Sequence, residues 1–271
     1  MKKILLSAVA GLALICSAAA QTLPVTPHSF VVVAHRGNHL SVPENTVASI
    51  EAAISAGVDY AELDLRTTRD GKLVLMHNGT VDKMTNGKGR VDSLTFDEIR
   101  RLQVKSNDGK VYQVPTFEEA LQACKGKLNI YLDFKDADVA ETWRQIQAAG
   151  MEKQVVVYLN AKEQYKAWRK IAPGMPLMTS LPEQITTPEG LESFLKNVRI
   201  SVLDNIADPA MIAVARKYNV AIWQDVQSES EGPAQWQEAI DRGIQGVQTD
   251  HPEALVRYLN SNGLRDGVVR K

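Results

Sequence analysis

The sequence predicts an α/β fold: a (β/α)8 barrel with a β-hairpin extension and a small insertion after its second strand. Strand and helix patterns alternate along nearly the whole chain, which argues for a parallel sheet covered by helices. Eight strand candidates fall within about 250 residues, the usual size of one such barrel. No Ser/Gly-rich linker interrupts the alternation. Together these observations favour a closed barrel over an open sheet.

The strand candidates are short and largely apolar, and nearly every one is followed by a helical pattern. Several of these helices begin with strong N-terminal signals. Thr116-Phe-Glu-Glu119 is a capping box, and Thr187-Pro188 and Asp208-Pro209 place proline just inside a helix start. The eight strand candidates are Phe30–His35, Tyr60–Leu65, Asn129–Lys135, Val155–Leu159, Leu177–Ser180, Ile200–Asp204, Val220–Asp225 and Gly246–Thr249.

A tight turn follows the second strand candidate. Asp70-Gly71 between two apolar runs is a strong hairpin signal, and the link is far too short for a parallel crossover. Residues 72–77 are therefore predicted to return antiparallel to the second strand. A two-residue loop places Asp64 opposite His77 on one face, with Cβ atoms about 5 Å apart. A three-residue loop would instead turn His77 to the other face.

Residues 78–115 fit the strand–helix repeat poorly. They are rich in Gly, Asn, Asp and Lys and contain one short helix signal at Thr95–Leu102. We interpret this stretch as an insertion that leaves the barrel mouth after the hairpin. Insertions in this position often cap active sites.

The first residues have the features of a secretory signal peptide: a basic start, a short apolar run and then small residues. We expect cleavage after Ala20, so that residues 1–20 are the signal peptide and residues 21–271 form one secreted or periplasmic domain. The apolar run is too short to span a membrane, so stable membrane insertion is not expected. A lipoprotein is not expected either, since Ile15 stands where lipidation at Cys16 requires a small residue.

Composition narrows the range of partners. The formal net charge is −1, and nothing in the sequence suggests binding to nucleic acid, which requires a clustered basic surface. Cys124 is the only cysteine after the predicted cleavage site, so the mature chain has no internal disulfide and must be stabilised by core burial. We expect Cys124 to be a small buried residue. Of the classes of partner considered, a small molecule is the one that the composition leaves. The oligomeric state is not determined by the sequence.

Charged residues collect at the predicted C-terminal ends of the first three barrel strands, where barrel enzymes carry their chemistry. His35 ends the first strand, and Glu62 and Asp64 lie near the end of the second. Asp133 and Lys135 end the third. Charges aimed into a barrel are unfavourable unless they are paired or metal-bound. Acids beside an imidazole suit a hard divalent cation next to a proton-transfer group.

Six motifs occur in a fixed order along the chain: His35-Arg-Gly37, Pro43-Glu-Asn-Thr46, Glu62-Leu-Asp64, Asp70-Gly71, His77 and Thr249-Asp-His-Pro252. In order and spacing they resemble the glycerophosphodiester phosphodiesterase family, whose barrel is similar to that of phosphoinositide phospholipases C. The resemblance runs from about Val32 to Leu255. It implies a (β/α)8 barrel that hydrolyses a small glycerophosphodiester to glycerol 3-phosphate and an alcohol.

The resemblance also implies roles for particular residues. His35 and His77 correspond to the family's acid–base pair, and Glu62 and Asp64 correspond to ligands of a divalent cation, Ca²⁺ or Mg²⁺. Asp133 stands at the third ligand position, where the family usually has a glutamate. Because aspartate is one methylene shorter, the metal must sit closer to this strand, or a water must bridge the gap.

The substrate contacts implied by the resemblance begin with Arg36 and Lys135, which correspond to the residues that contact the phosphate. Glu44 lies at the mouth, although Ser41-Val-Pro-Glu44 could equally cap the first helix. Trp223 has interior parity on the seventh strand candidate, where filling the barrel and forming a pocket wall are both open. The other histidines are expected to lie in solvated loops: His28, His39 and His251.

Two further departures from the family pattern concern the substrate. The aspartate that usually follows the second histidine is Asn78, and the late Trp-Thr motif reads Trp223-Gln224. Asp133 also resembles sphingomyelinase D enzymes, so a phospholipase or lyase of that kind is an alternative. A non-catalytic phosphodiester-binding protein is a second alternative. For the hydrolase, attack by water and attack by the substrate's own glycerol hydroxyl both remain open.

Overall fold

The fold is a closed barrel of eight parallel strands surrounded by helices, as predicted. A computed structural model describes residues 22–228 and 230–265. The eight predicted strands are confirmed, with ends within two residues of those expected. The strands are β1 (Val31–Ala34), β2 (Tyr60–Thr67), β3 (Leu73–Leu75), β4 (Asn129–Phe134), β5 (Val155–Leu159), β6 (Leu177–Ser180), β7 (Val202–Asp204), β8 (Ala221–Asp225) and β9 (Gly246–Thr249). β1 pairs in parallel with both β2 and β9, which closes the barrel, and β3 is the antiparallel extra strand.

Helices cover the outside of the barrel. The predicted capping box of Thr116 and the prolines at the starts of two later helices are confirmed. Within the described residues, no helix combines the length and the hydrophobicity needed to cross a bilayer. The predicted signal peptide, residues 1–20, lies outside these residues. The helices are α1 (Val47–Ala56), α2 (Phe96–Arg100), α3 (Phe117–Cys124), α4 (Val139–Ala149), α5 (Lys162–Ile171), α6 (Pro188–Asn197), α7 (Pro209–Lys217), α8 (Pro233–Asp241) and α9 (Pro252–Ser261).

The first helix begins later than the proposed capping box. Its N-cap is Thr46, whose side chain accepts a hydrogen bond from the Ser49 backbone N–H, while the Ser49 hydroxyl accepts one from the Thr46 N–H. The interpretation of Ser41-Val-Pro-Glu44 as the cap of the first helix is therefore wrong. The reason is that the chain up to Asn45 forms a loop over the end of β1, so Glu44 precedes the helix.

Strand alternation produces two apolar layers. Residues of one parity fill the barrel, and those of the other pack against the helices, where Cys124 is buried as expected. The inner layer is small because the barrel is narrow. The inner residues are Val33, Tyr60, Tyr131, Val156, Met178, Val202, Ala221 and Trp223.

The hairpin after β2 is confirmed, but its predicted register is wrong by one residue. Leu65 pairs with Leu75, and the loop comprises three residues, Arg69 to Gly71, with Gly71 in the left-handed region at φ 81°. The Met76 N–H consequently bonds to the Asp64 carbonyl at 3.0 Å. Asp64 is thus opposite Met76, and the expected pairing of Asp64 with His77 does not form.

The insertion after the hairpin has a small core of its own. One face of β3 packs on the helix layer through Leu73 and Leu75, while Val74 and the following Met76 face the insertion. A composition rich in Gly, Asn and Lys therefore still yields a packed unit. The buried residues of this unit are Val74, Met76, Val81, Met84, Val91, Ile99, Val104 and Val114.

An ion cluster lies at the opposite end of the barrel from the C-terminal strand ends. We call it the barrel floor and define it as His28, Asp59 and Arg265. The Asp59 carboxylate is fully buried and accepts hydrogen bonds from Arg265 Nη2 at 3.0 Å and from the Val32 N–H at 2.9 Å. Its other oxygen lies 2.7 Å from His28 Nδ1. The expectation that His28 is a solvated loop residue is therefore wrong, because its ring contacts the buried Asp59 at the end of the barrel.

Candidate active site

The C-terminal ends of the barrel strands form a mouth lined by ionisable side chains. His35 follows β1 directly, and its Nδ1 lies 2.7 Å from Oδ1 of Asp250, which follows β9. The parallel pairing of the two strands brings these residues level, since Ala34 and Thr249 are partners in register. With a carboxylate as acceptor, Nδ1 of His35 carries a proton, and Nε2 is left for a substrate.

Asp250 also lies close to a second imidazole. His39 Nε2 is 3.5 Å from the same Oδ1, and its Nδ1 donates to the His35 carbonyl at 2.9 Å. The expectation that His39 is a solvated loop residue is wrong, because the loop after β1 folds back over the strand end. Burial tends to raise the pKa of Asp250, but the hydrogen bond from His35 and the electrostatic attraction of His35, His39 and Arg36 outweigh it and lower that pKa.

Three carboxylates meet beside this pair. Glu62, Asp64 and Asp133 each offer an oxygen within 4.8 Å of the others. β2 and β4 align them, because Asp64 and Asp133 are register partners and Glu62 lies two residues earlier on the same face. Glu62 and Asp64 are only 3% and 1% exposed. Burial raises the pKa of Glu62 well above its ordinary value, and the neighbouring charges of Asp64 and Asp133 raise it further.

The loop between β1 and α1 holds the two acids of β2 through hydrogen bonds. The Arg36 N–H donates to Glu62 Oε2 at 2.8 Å. The buried Asn45 donates from Nδ2 to Asp64 Oδ2 at 2.7 Å and accepts from the Asp64 N–H at 3.1 Å. Arg36 and Asn45 both adopt left-handed backbone, at φ 52° and 53°. Such strain in residues other than glycine is typical of functional sites.

Arg36 reaches across the mouth with its guanidinium. Nη1 donates to Glu44 Oε2 at 2.9 Å, and Nε lies 3.6 Å from Asp64 Oδ2. Burial tends to lower the pKa of Arg36, but the attraction of Glu44, Asp64 and Glu62 leaves it raised. Glu44 thus fixes an arginine at the mouth.

Lys135 enters the acidic cluster from the end of β4. Its Nζ lies 3.1 Å from Asp64 Oδ1 and also contacts Asp133 Oδ2. Asn160 donates to the other oxygen of Asp133 at 2.6 Å. Burial tends to lower the pKa of Lys135, and the charges of Asp64 and Asp133 raise it on balance. The cluster therefore carries two cations against its three carboxylates when Arg36 is included.

His77 lies past the end of the hairpin ladder. Its Nδ1 is 2.8 Å from Asn78 Oδ1, and the ring is half-buried. Arg66 holds the backbone there: its Nη2 donates to the His77 carbonyl at 2.7 Å and its Nη1 to Asp136 at 2.5 Å. Within the described residues, no hydrogen bond joins the His77 ring to the carboxylate cluster. Arg66, rather than the predicted strand pairing, keeps His77 at this end of β2.

Trp223 lies inside the barrel below the mouth. It is 2% exposed and packs edge-on against Tyr60, with ring centroids 5.0 Å apart. A Cβ at the neighbouring Gly246 would lie only 2.8 Å from the indole, so that position leaves space for the ring. Of the two roles considered for Trp223, these contacts favour barrel filling.

The donor set fits a hard divalent cation. Glu62, Asp64 and Asp133 provide only oxygen ligands, as Ca²⁺ and Mg²⁺ prefer. Asp64 Oδ1 is buried and accepts no well-aligned hydrogen bond from the described residues; Lys135 Nζ lies 3.1 Å from it, at a position that a cation would share. The spacing of 4.8 Å or less allows one ion to touch all three carboxylates.

Two residues of this site were missed by reasoning from the sequence. Asp250 lies in the Thr249-Asp-His-Pro252 motif at the end of the last strand, and Asn45 lies in the Pro43-Glu-Asn-Thr46 motif. Both were used to establish the resemblance, but neither was assigned a contact. Their position beside a strand end was the available signal, while the partner of each was set by a distant part of the chain.

The residues of this site lie within the part of the chain that is similar to known proteins. Residues 35–254 match the Glycerophosphoryl diester phosphodiesterase family. A glycerophosphodiester phosphodiesterase of Caldanaerobacter subterraneus is 26% identical over 243 residues, which covers 86% of this chain and 99% of that protein. Another, from Bacillus subtilis, is 31% identical over 187 residues and covers 61% of this chain and 64% of that protein.

Solved structures share the architecture. A glycerophosphodiester phosphodiesterase from Agrobacterium tumefaciens has a TM-score of 0.76 at 25% identity, with 85% of this chain and 99% of that chain covered. A phosphodiesterase from Oleispira antarctica, solved with the product sn-glycerol-3-phosphate, has a TM-score of 0.71 at 18% identity, with 85% and 96% covered. The match over residues 35–254 includes the carboxylate cluster and the His35–Asp250 pair, and the chain belongs to the glycerophosphoryl diester phosphodiesterase family, a family of phosphoric diester hydrolases.

Proposed function

We propose that this protein is a divalent-metal-dependent hydrolase that cleaves a glycerophosphodiester to glycerol 3-phosphate and an alcohol. The observation that carries the proposal is the buried cluster of Glu62, Asp64 and Asp133 beside the His35–Asp250 pair. The family match supports the substrate class. The Oleispira antarctica relative, whose structure holds sn-glycerol-3-phosphate, supports the same product.

Binding of the substrate begins with its charge. A phosphodiester is a monoanion that repels nucleophiles, so its nonbridging oxygens must be neutralised before attack. Arg36 and Lys135 are cations at the mouth, and each is already held by a carboxylate. These contacts restrict both side chains before the substrate arrives, which lowers the entropy that binding must remove.

A divalent cation, Ca²⁺ or Mg²⁺, would be held by Glu62, Asp64 and Asp133. When bound there, it would offset the charge of the three carboxylates and stabilise negative charge that develops on the phosphoryl oxygens. The raised pKa of Glu62 fits a group that is ionised only at a cost until a cation is near.

Proton transfer is assigned to His35 and His77. In each ring, Nδ1 faces an oxygen acceptor, Asp250 for His35 and Asn78 for His77, and Nε2 is the nitrogen that would exchange a proton with the substrate. One ring takes the proton of the attacking hydroxyl, and the other gives a proton to the departing alkoxide. The attacking hydroxyl is water or the glycerol hydroxyl next to the phosphate. Each acid–base group typically contributes about 10²- to 10⁴-fold to the rate.

The test is a panel of glycerophosphodiesters, assayed with Ca²⁺, with Mg²⁺ and with a chelator. We expect release of glycerol 3-phosphate that the chelator abolishes and that His35→Ala reduces by about 10²- to 10⁴-fold. Glu189→Gln, an exposed carboxylate on α6, is the matched control for surface charge. Turnover that is unaffected by the chelator would exclude the metal role. Cleavage of lysolipids alone would favour the sphingomyelinase D-like alternative, and binding without turnover would favour the non-catalytic one.

The N-terminal sequence is the basis of a proposal about where the protein is located. We propose that residues 1–20 are removed on export and that the mature protein is secreted or periplasmic, on the basis of the basic start and short apolar run. Mass spectrometry of the protein from the producing cell should give a mature N-terminus at Gln21. A retained Met1 in the cytoplasmic fraction would exclude export.

A further inference from the structure

The part of the mouth formed by β5 to β9 carries a second set of polar side chains that the proposed chemistry does not use. They lie at the ends of β5 to β9, on the parity that fills the barrel below them. We call this set the distal subsite. It consists of Tyr158, Ser180, Asp204, Asp225 and Gln248.

The distal subsite is connected by directed hydrogen bonds. The Tyr158 hydroxyl lies 2.7 Å from Ser180 Oγ, and the Ser180 hydroxyl donates to Asp204 Oδ2 at 3.0 Å. Asp225 accepts from Asn205 Nδ2 at 3.0 Å and stands exposed at the opening. The hydroxyl donors of Tyr158 and Ser180 are used within this chain of hydrogen bonds, which ends on the carboxylate of Asp204.

Two acceptors in the distal subsite have no hydrogen-bond donor among the described residues. Asp204 is 4% exposed, and its Oδ1 accepts no hydrogen bond within the described residues. Gln248 is 8% exposed, and its Oε1 is likewise without a partner there. Gln248 is the register partner of Asp225 and Val33, and it shares their interior parity. Buried acceptors left unpaired are unfavourable unless a ligand or water donates to them.

The negative charge of the distal subsite is not matched by a lysine or an arginine among the described residues, although His35 attracts the Asp225 carboxylate. In the part of the chain that the structure describes, neither Asp204 nor Asp225 forms an ion pair with lysine or arginine, whereas Asp64 and Asp133 have Lys135. Desolvation raises the pKa of Asp204 to about 6, with a further contribution from the charge of Asp225 and in spite of the hydrogen bond from Ser180. At neutral pH, Asp204 is therefore mostly ionised, in surroundings that do not compensate its charge.

We propose that the distal subsite binds the alcohol half of the diester and that this alcohol carries a primary ammonium group. The inference rests on the proposed hydrolase function. Of the two halves of a glycerophosphodiester, the glycerol half is uncharged, so only the alcohol half can match two carboxylates. A primary ammonium offers three donors to the open oxygens of Asp204, Asp225 and Gln248. A quaternary ammonium would supply the charge without donors, and a polyol would supply donors without the charge.

The experiment compares kcat/KM for three diesters that share the glycerol half: glycerophosphoethanolamine, glycerophosphocholine and glycerophosphoglycerol, each at pH 8 with saturating metal. We expect the ethanolamine diester to exceed the glycerol diester by about tenfold or more and the choline diester to fall between them, on the scale of one charged hydrogen bond. Asp204→Asn and Asp225→Asn should each reduce the ethanolamine-to-glycerol ratio about tenfold. Glu189→Gln is the control and should keep the ratio of the wild type.

The outcomes separate this inference from the proposed function. Equal kcat/KM for the three diesters, or an unchanged ratio in Asp225→Asn, would overturn the distal subsite while leaving the hydrolase intact. A choline diester that equals the ethanolamine diester would overturn the primary ammonium. If none of the three diesters is cleaved, the proposed function itself fails. Should Asp204→Asn not fold, the exposed Asp225 carries the test, with unfolding in urea as the check.

A second measurement does not depend on the diester. 2-Aminoethanol, the alcohol product, should inhibit the wild type, and the inhibition constant should rise about tenfold in Asp225→Asn. Ethylene glycol, which has the same shape without the charge, serves as the matched control and should inhibit weakly. Equal inhibition by the two alcohols would overturn the inference.

Discussion

The two ends of the barrel use the same kinds of residues for different purposes. At the barrel floor, both oxygens of Asp59 have partners, and the charge of Arg265 matches it in a fully buried setting. At the mouth, one oxygen of Asp204 accepts no hydrogen bond from the described residues, and no lysine or arginine among them pairs with this carboxylate. A matched buried charge holds the structure together, whereas an unmatched one is unfavourable until a ligand arrives. The difference therefore marks which end binds.

The largest expected effect is at the mouth. Asp64→Asn removes one of the three clustered carboxylates, and we expect kcat/KM on a glycerophosphodiester to fall by about 10³-fold or more. The free energy of unfolding should change by less than about 1 kcal/mol, because the lost attraction to Lys135 and Arg36 is offset by relief of repulsion with Glu62 and Asp133. Steady-state kinetics and urea unfolding measure the two quantities. A variant that keeps its activity would contradict the assignment of Asp64.

At the barrel floor we expect the reverse: a substitution should lower stability and leave activity nearly unchanged. Arg265→Ala leaves the buried Asp59 without its main cation, and we expect the free energy of unfolding to fall by about 3–5 kcal/mol. Activity per folded molecule should stay close to that of the wild type. Arg257→Ala is the matched control on α9, because Arg257 is exposed and its contact with Glu253 is long, at 3.9 Å. This substitution should change the free energy of unfolding by no more than about 0.5 kcal/mol. Equal destabilisation by both substitutions would remove the contrast between matched and unmatched charge.

Because the Asp204 carboxylate is buried without a cation partner, its ionisation should change the free energy of unfolding as the pH is varied. A carboxyl whose pKa is raised to about 6 on folding binds more protons in the folded state. Stability contributed by the protonated group is thus present below the unfolded pKa near 4 and is lost as pH rises to about 6. Relative to wild type, Asp204→Asn should gain up to about 3 kcal/mol between pH 4 and pH 7. Urea unfolding across this range measures it, and parallel pH curves for both proteins would contradict the prediction.

The smallest effect is expected at Arg66, which holds the carbonyl of His77 without belonging to the acidic cluster. Arg66→Lys keeps the charge but cannot reproduce the forked hydrogen bonds to His77 and Asp136. We expect kcat to fall by about tenfold with little change in KM, because His77 is misplaced while the phosphate contacts are kept. Burst and steady-state kinetics separate the two constants. A rise in KM alone would assign Arg66 to substrate binding.

How far the sequence predicts the site depends on how local each contact is. Glu62 and Asp64 share a face because a strand has period two, and their approach to Asp133 follows from neighbouring parallel strands. The register of the hairpin was missed, because a third loop residue with Gly71 in the left-handed region is as compatible with Asp70-Gly71 as a two-residue loop. One residue decided which side chain lies opposite Asp64.

Contacts between distant parts of the chain escaped prediction. Asp250 orients His35 across 215 positions of sequence, and Arg265 reaches Asp59 across 206. His28 and His39 were expected in solvated loops, because nothing next to them in the sequence indicates a carboxylate partner. In the closed barrel, His28 contacts Asp59 and His39 lies close to Asp250.

By itself, the sequence determined the barrel, its eight strands, the hairpin and the set of acids and histidines near the strand ends. These depend on periodicity and on turn and cap residues, which act over a few positions. Only the tertiary structure decided the register at His77, the partners of Asp250 and Arg265, and which carboxylates stay unmatched. Closing the barrel sets these, because strand pairing and burial join residues that the sequence holds far apart.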